Sequence, residues 1–299
     1  MKTPGRSDVA RILPKLASGE VELVATALNV LATAESLATG VQQIDRRLGT
    51  LQTSLNDSLQ AEVTQANQLL REIANYNKQI IAIEAGGRVT ANDLRDSRQQ
   101  RLEELAKLVN IQTSTQSHGA VDVSIAGTTL VSGVNVEDTL ALYDAGGGQM
   151  LVQTATGATP LTLTGGSLQG TIEARDGALK NLRDDLDTLA ATLISQVNAI
   201  HRGGYGLTGA TGADFFTGTG AADMAVNRAL VANPALLQAS GVAGASGDNQ
   251  VALALAQLAR QPQPGLANQT FSASFARTVA GLGQALASTN NALSDQDAV

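Results

Sequence analysis

The stretch VQQIDRRLGTLQTSLNDSLQAEVTQANQLLREIANYNKQIIAI, residues 41–83, decides the fold of this chain. Its apolar residues recur every three or four positions, without an intervening proline, at Val41, Ile44, Leu48, Leu51, Leu55, Leu59, Val63, Ala66, Leu70, Ile73, Tyr76, Ile80 and Ile83. This spacing puts them on one face of a helix and predicts coiled-coil or long-bundle packing. At ~1.5 Å per residue, such a helix is on the order of 60 Å long.

Glycines divide the sequence around this long pattern. Gly40 and Gly49 each weaken a helix by about 1 kcal/mol relative to alanine, and we expect a bend or break near Gly40. Gly86 and Gly87 are expected to end the helix, because glycine tolerates the left-handed conformation of a helix C-terminus. Thr90 is expected to cap the helix that follows.

The period of the apolar pattern changes to two after the second helix. This alternation predicts two hairpins and a further short strand, with apolar positions at Val121, Val123, Ile125, Leu130, Val131, Leu140, Leu142, Met150, Val152, Leu161 and Leu163. A second heptad pattern follows over residues 168–200. The final helix carries Phe271, Phe275, Val279, Leu282, Leu286 and Leu293 at similar spacing.

These patterns predict an α+β fold, an elongated long-helix bundle resembling a coiled-coil rod, with a small β-rich domain inserted between helices. We expect residues 1–86 to form an N-terminal rod segment and residues 87–264 a mixed α/β middle domain with hairpins and a long helix. Residues 265–299 are expected to form a C-terminal helix that packs back on the rod, because its apolar spacing matches that of the first pattern.

Composition excludes several functional classes. The net charge is −7 and no Lys/Arg-rich run is present, which argues against nucleic-acid binding. No uninterrupted apolar run approaches the ~18 residues expected of a membrane span, so no membrane contact is predicted. Residues 1–18 lack the apolar core of a cleaved signal peptide. Cysteine is absent, which excludes disulfides and thiolate chemistry.

Candidate catalytic residues are few. The two histidines are His118, in a polar loop, and His201, near a helix C-terminus where a cation suits the helix dipole. Both are interpreted as structural on these positions, since nucleophilic catalysis needs a base held against a nucleophile and the sequence gives no sign of such a pair. Two histidines far apart, without thiolates, also do not support a zinc site.

Acidic pairs and a glycine-rich segment complete the search for chemistry. Asp184-Asp185 and Glu103-Glu104 are interpreted as solvated helix faces, with Arg183 and Arg101 pairing locally. Residues 203–206, Gly-Gly-Tyr-Gly, lack the strand, helix and Lys-Ser/Thr of a phosphate loop, and glycine there suits a sharp turn of the chain. The sequence therefore predicts no catalytic, cofactor-binding or metal-binding residue and no cofactor.

Five groups of residues, in chain order, carry a family resemblance. They are NDLRDSR with LEELAKLV (92–98 and 102–109), GGSLQG with RD (165–170 and 175–176), VNAIH with GY and DFF (197–201, 204–205 and 214–216), GDN (247–249), and residues 271–283. Together they resemble the hook-associated protein 1 (FlgK) family of bacterial flagella. The apolar terminal segments with which that family polymerises are not seen, so the chain resembles an internal fragment.

The resemblance implies a structural axial protein of the hook–filament junction without enzymatic activity. It implies a ring of identical subunits, contacts with the hook protein and hook-associated protein 3, and an export chaperone for the full-length protein. It also implies an extracellular flagellar location, reached by type III export without a cleaved signal peptide. Two alternatives stay open: another axial or adaptor protein, such as hook-associated protein 3 or a flagellin-like protein, and a flagellum-associated peptidoglycan hydrolase.

Overall fold

A computed structural model describes residues 20–284 of the chain, except residues 86, 88, 89, 117, 246 and 282. The chain divides into two compact units. Unit 1 comprises Met1–Leu48 with Leu182–Val299, and unit 2 comprises Gly49–Asn181. The three segments predicted from the sequence were drawn where the apolar pattern changes, and that division stays a prediction.

Helix α1 (Glu20–Glu84) contains the stretch that decides the fold. It continues without interruption through Gly40 and Gly49, so a break near Gly40 is contradicted, and the alternative of a bend there stays a prediction. The rest of this long helix outweighs a local cost of about 1 kcal/mol. The helix ends where glycine was expected to end it, and Gly87 has a left-handed φ of +66°.

Helix α2 (Asn92–Leu108) begins in an unexpected way. The preceding residue is Ala91, whose side chain cannot accept a hydrogen bond, so the predicted cap by Thr90 is wrong. The Glu84 carboxylate instead accepts the Ala91 N–H at 2.9 Å and two N–H groups of Arg95 at 2.9 and 2.6 Å. The bond from Arg95, followed by that from Ala91, lowers the pKa of Glu84 to about 2.

The β region lies in unit 2. Strands β1 (Ile111–Thr115), β2 (Val121–Ile125), β3 (Thr128–Ser132) and β4 (Asn135–Val136) form an antiparallel sheet in chain order, and β5 (Leu140–Asp144) pairs with β6 (Met150–Thr154) as a separate hairpin. The predicted alternation is correct in β2, where Val121, Val123 and Ile125 are buried. The α+β fold class is confirmed.

Two parts of the β region differ from the prediction. Strand β1 was not predicted, because its residues IQTST show no alternation of apolar side chains. Four of its five side chains are exposed. Leu161 and Leu163 are buried but do not form the predicted strand. Leu161 donates its N–H to the carbonyl of Val152 at 2.9 Å. This segment therefore lies beside β6 but does not pair with it as a regular strand.

The second heptad pattern folds as three consecutive helical pieces. Helix α3 (Gly166–Glu173) leads into a π-helical turn (Ala174–Leu179), which continues as helix α4 (Lys180–Arg202). Gly166 has φ of +85°, and a Cβ at this position would collide with the carbonyl of Leu108. Glycine is therefore required where α3 begins against the end of α2.

Unit 1 continues after α4 with short elements. They are β7 (Phe216–Thr217), β8 (Ala225–Val226), α5 (Arg228–Ala232), a 3-10 turn (Pro234–Leu236), α6 (Gln250–Leu258), a second 3-10 turn (Pro264–Leu266) and α7, described over residues 271–281. Thr278 of α7 donates a hydrogen bond to Asp185 of α4 at 2.9 Å. Leu282, Leu286 and Leu293 lie outside the described residues, and the predicted packing of this helix along the rod stays a prediction.

Each unit has its own apolar interior. In unit 2, residues 59–74 of α1 and the inner faces of α2 and the sheet bury a cluster that includes Leu59, Leu70, Ile73, Leu105, Val123, Ile125, Leu130 and Leu168. In unit 1, buried apolar residues come from α1, α4 and the loops after α4, among them Leu31, Ala38, Leu186, Ile194, Phe215, Met224 and Leu230. Full burial of one such side chain contributes roughly 1.5–3 kcal/mol.

Two glycine substitutions are predicted to act in opposite directions. Gly40→Ala should raise the free energy of unfolding by about 0.5–1 kcal/mol, because Gly40 is inside a helix and a Cβ there meets no atom within 4 Å. Gly166→Ala should lower it by more than about 1 kcal/mol, through its positive φ and the collision with Leu108. Urea unfolding followed by circular dichroism measures both. A destabilising Gly40→Ala would contradict the continuity of α1.

Candidate assembly surface

The structure places the two histidines in different compact units. His118 is exposed between β1 and β2 in unit 2, whereas His201 is fully buried in the last turn of α4 in unit 1. Among the described residues, no group of three or more His, Cys, Asp or Glu side chains could hold a metal ion. The predicted absence of catalytic and metal-binding residues stays a prediction.

His201 does not act through the helix dipole as a cation. Its Nδ1 hydrogen-bonds the carbonyl oxygen of Ala213 at 2.8 Å, and its Nε2 accepts the backbone N–H of Gln238 at 3.0 Å. The edge of the Phe215 ring packs against the imidazole, with 5.4 Å between the ring centroids. Burial lowers the pKa of His201, so the neutral imidazole is the form that the fold holds. The predicted dipole interaction is wrong, since it requires the charged form.

The acidic pairs make ordinary surface contacts. Glu104 pairs with Arg101 at 2.5 Å on one face of α2, as predicted. Arg183 has an ion pair with Asp45 of α1 at 3.3 Å, and Asp185 accepts the hydroxyl of Thr278. Such exposed pairs contribute about 0–1 kcal/mol each.

The glycine-rich segment 203–206 is explained by close backbone approach. A Cβ on Gly204 would lie 2.7 Å from the carbonyl oxygen of Gln238, and one on Gly206 would lie 2.8 Å from that of Ala235. Neither glycine has a left-handed φ. The sharp turn inferred from the sequence is therefore not the reason for glycine here. The two glycines let the segment lie against residues 235–238.

Three asparagines among the described residues use both ends of the side-chain amide to hold β segments against helices. Asn67 of α1 bonds the N–H and carbonyl of Leu140 at 2.7 and 2.8 Å. Asn77 of α1 does the same for Val121, at 3.1 and 2.8 Å. Asn198 of α4 accepts two N–H groups, from Phe215 and Phe216, and donates to the carbonyl of Phe216 at 2.9 Å.

Two buried arginines, both from segments that carry the family resemblance, also make internal hydrogen bonds. Arg98 donates to the Asn77 side chain at 2.8 Å and to the carbonyl of Gly119 at 2.7 Å. Arg175, in the π-helical turn, bonds Asp176 through two N–H groups and also reaches the Asn56 side chain and the carbonyl of Met150. These two arginine side chains are therefore already occupied by internal hydrogen bonds.

The part of α1 in unit 1 presents a stripe of apolar side chains to solvent. The stripe consists of Leu23, Val30, Leu37 and Ile44, which are spaced seven residues apart and are 38–48% exposed. The only charged residue between Leu23 and Ile44 is Glu35. Apolar residues at a seven-residue repeat are typical of a helix that packs against another helix.

A groove adjoins this stripe within unit 1. It has a volume of about 1170 Å³ and is lined by side chains of α1, α4, α6 and α7, among them Leu37, Ile44, Leu189, Leu193 and Phe275. Phe275 and Val279 of α7 are themselves about half exposed. Exposed apolar surface at this scale marks a place where another element or chain docks. The stripe and the groove together are named the α1 surface below.

Helix α1 also satisfies a membrane-span criterion. Among the described residues it is the helix with an 18-residue window apolar enough to cross a membrane by length and composition, at a mean hydropathy of 1.3. That window is 17% buried. One such helix is weak evidence for a membrane contact, because length and composition alone satisfy the criterion. The predicted absence of a membrane contact stays a prediction.

Removing the Asn198 amide is predicted to destabilise unit 1. Asn198→Ala leaves the buried N–H groups of Phe215 and Phe216 without a partner, at a cost of about 2–4 kcal/mol. Asn29→Ala, at an exposed position on α1, should change stability by less than about 0.5 kcal/mol. Chemical unfolding of both variants measures the difference. Equal unfolding midpoints would contradict the assigned role of Asn198.

Comparison with known proteins gives the family to which the chain is similar. The family model described as the flagellar hook-associated protein FlgK helical domain matches residues 21–216. Flagellar hook-associated protein 1 of Salmonella typhimurium is 30% identical over 203 residues, covering 63% of this chain and 36% of that protein. The Bacillus subtilis protein of the same name is 27% identical over 263 residues, covering 75% of this chain and 52% of its own length.

A solved structure shows the same similarity. The structure of the flagellar hook junction protein FlgK from Burkholderia pseudomallei superposes with a TM-score of 0.57 at 26% identity, covering 64% of this chain and 36% of that one. The chain thus spans between about a third and a half of the length of these relatives. Since the family model matches most of its helical and β elements, the chain belongs to the FlgK family of flagellar hook-associated proteins.

Proposed function

We propose that this chain is a structural axial component of the bacterial flagellum that acts at the hook–filament junction and performs no catalysis. Family membership supports the flagellar role, and the solved relative is described as a hook junction protein. The observation that carries the proposal is the α1 surface, which leaves apolar side chains exposed at helical spacing. An axial protein needs such surfaces because its function is to bind its neighbours.

The energetics suit an assembly element. Each residue of the stripe keeps about half of its apolar surface in water, so covering it gains roughly 1 kcal/mol per side chain. A contact of this strength is weak by itself and becomes persistent when several copies close a symmetric ring. The ring of identical subunits is part of the proposal.

The proposed absence of catalysis is supported by the hydrogen bonds of three buried residues that could otherwise serve a substrate. His201 has both ring nitrogens bonded to backbone groups, and Arg98 and Arg175 are committed to internal hydrogen bonds. A general base or an oxyanion-binding group has to present a free atom to a substrate. These residues do not meet that condition.

The similarity to flagellar proteins also supports a proposal for the partners and the location of this chain. The hook protein and hook-associated protein 3 are the proposed neighbours, together with further copies of this chain, and an export chaperone is proposed for the full-length protein. We propose an extracellular location in the flagellum, reached without a cleaved signal peptide. Nucleic acid and membrane are not among the proposed partners, in keeping with the net charge of −7.

Complementation of a deletion strain tests this function. Deleting the gene should give hooks without filaments, with flagellin lost to the medium, as seen by electron microscopy. The wild-type gene should restore filaments, whereas Leu37→Lys combined with Ile44→Lys should not, because two charges would enter the apolar α1 surface. Normal filaments on the deletion strain would reject the junction role.

A matched control separates a defect in assembly from the general effect of adding a charge to the surface. Val134→Lys changes an apolar side chain of similar exposure, 42%, in a turn of unit 2, and it should restore filaments fully. Circular dichroism of each purified variant establishes that it folds. Full restoration by a folded double variant would contradict the assignment of the α1 surface to assembly.

The hydrolase alternative has its own test. The purified chain should produce no clearing when it is run in a gel that contains peptidoglycan, with lysozyme as the positive control. The expected result rests on membership of a structural flagellar family and on the interpretation of the acidic pairs as solvated helix faces. Clearing that survives repurification would contradict the proposal that the chain performs no catalysis.

A further inference from the structure

His201 connects two segments of unit 1 that are far apart in sequence. On one side Nδ1 bonds the carbonyl of Ala213, so in the neutral ring Nδ1 carries the proton and donates it. On the other side Nε2 accepts the backbone N–H of Gln238 at 3.0 Å. The side chain is fully buried, so water does not replace either partner while the fold is closed.

Residues 234–240, called the latch segment below, are held at several points. Leu207 donates its N–H to Ala235, and Tyr205 and Ser240 exchange two backbone hydrogen bonds at 2.8 and 3.2 Å. The first turn of α6 donates the N–H groups of Val251 and Ala252 to the carbonyl of Ala239. Two titratable side chains hydrogen-bond this segment in the described structure. Asp248 accepts the Ser240 hydroxyl at 2.9 Å, and the Gly241 N–H lowers the pKa of this carboxyl below its ordinary value, so it stays ionised between pH 5.0 and pH 7.5. His201 is therefore the group whose charge can change in that range.

The latch segment also forms part of a cavity wall. The cavity has a volume of about 410 Å³, and its lining includes Leu23, Ala27 and Val30 of α1 with Leu237, Ala239 and Ser240 of the latch segment. Leu23 and Val30 are two members of the exposed stripe on α1. A displacement of the latch segment would therefore open a cavity beside the α1 surface.

Protonation of His201 would convert an attractive contact into a repulsive one. The imidazolium ion carries hydrogen on both nitrogens, so Nε2–H would face the N–H of Gln238, donor against donor. The charged groups beside the ring are Asp214, which favours the cation, and Arg202, which pairs with Asp214 at 2.5 Å. The latch segment itself carries no ionisable side chain that could stabilise the new charge.

We propose that residues 234–240 form an acid-operated latch, which neutral His201 holds closed and protonated His201 releases. The proposal concerns unit 1 alone and does not depend on the junction role. Release breaks the bond to Gln238 first and then loosens the wall of the cavity next to α1. The chemical trigger is a proton, and the ligand that the open state would take is not part of the proposal.

The direction of the pH dependence follows from the buried imidazole. Burial lowers the pKa of His201 below its ordinary value of 6.5, in opposition to the Ala213 bond and to Asp214. The unfolded chain therefore binds this proton more readily than the folded chain does. The stabilisation is fully present above pH 6.5 and is lost as the pH falls through the lowered folded-state value.

Amide hydrogen exchange of the whole chain tests the latch. Protection of the Gln238 amide, corrected for the intrinsic exchange rate, should fall at least about tenfold between pH 7.5 and pH 5.0. Protection of the Phe216 and Leu140 amides, which asparagine side chains hold, should change much less. His201→Gln removes the titrating group, so its Gln238 amide should show no such fall.

A second measurement keeps the test decisive if His201→Gln does not fold. Imidazole nitrogen chemical shifts in the wild-type chain should show Nδ1 protonated and Nε2 free at pH 7.5. They should then titrate together with the Gln238 amide resonance at a midpoint below 6.5. Unchanged protection of Gln238 at pH 5.0, or a titration of His201 that leaves this amide unmoved, would overturn the proposal.

Discussion

The structure depends on asparagine side chains that hydrogen-bond the backbone of β segments, as a neighbouring strand would do. A β segment placed against a helix has backbone N–H and carbonyl groups with no ladder partner, and burying them unpaired costs about 1–3 kcal/mol each. Asn67, Asn77 and Asn198 remove this cost by offering one donor and one acceptor at the geometry of a backbone amide. Among the described residues, this device fixes β segments to α1 and to α4.

The same networks explain why recognisable sequence segments need not mark a binding site. Arg98 and Arg175 have charged groups that could serve a ligand, yet each is buried and hydrogen-bonded to internal partners. Surface that is available to partners is instead apolar and regular, along α1. This exposed apolar repeat is the surface that we propose for contacts with neighbouring subunits in a symmetric assembly.

Periodicity predicted the apolar interior well and the polar contacts poorly. The fold class, α1 and β2 follow from spacing, because packing against a core requires it. Strand β1 could not be predicted from spacing, because its exposed residues carry no apolar pattern. The predicted break at Gly40 was wrong because neighbouring residues sustain the helix. Asn198 and His201 each follow a residue of the predicted apolar face by one position, so the spacing did not predict their burial. Their partners, far away in sequence, could not be inferred from spacing.

The central claim is that the exposed stripe of α1 becomes an interface when the flagellum assembles. The chain has no cysteine, so Leu37→Cys introduces a unique thiol on the stripe, and Val134→Cys gives a control at similar exposure. Maleimide labelling should modify both thiols in the purified chain. In isolated flagella it should modify Val134→Cys and leave Leu37→Cys protected. Equal labelling of Leu37→Cys in the free chain and in flagella would contradict the account.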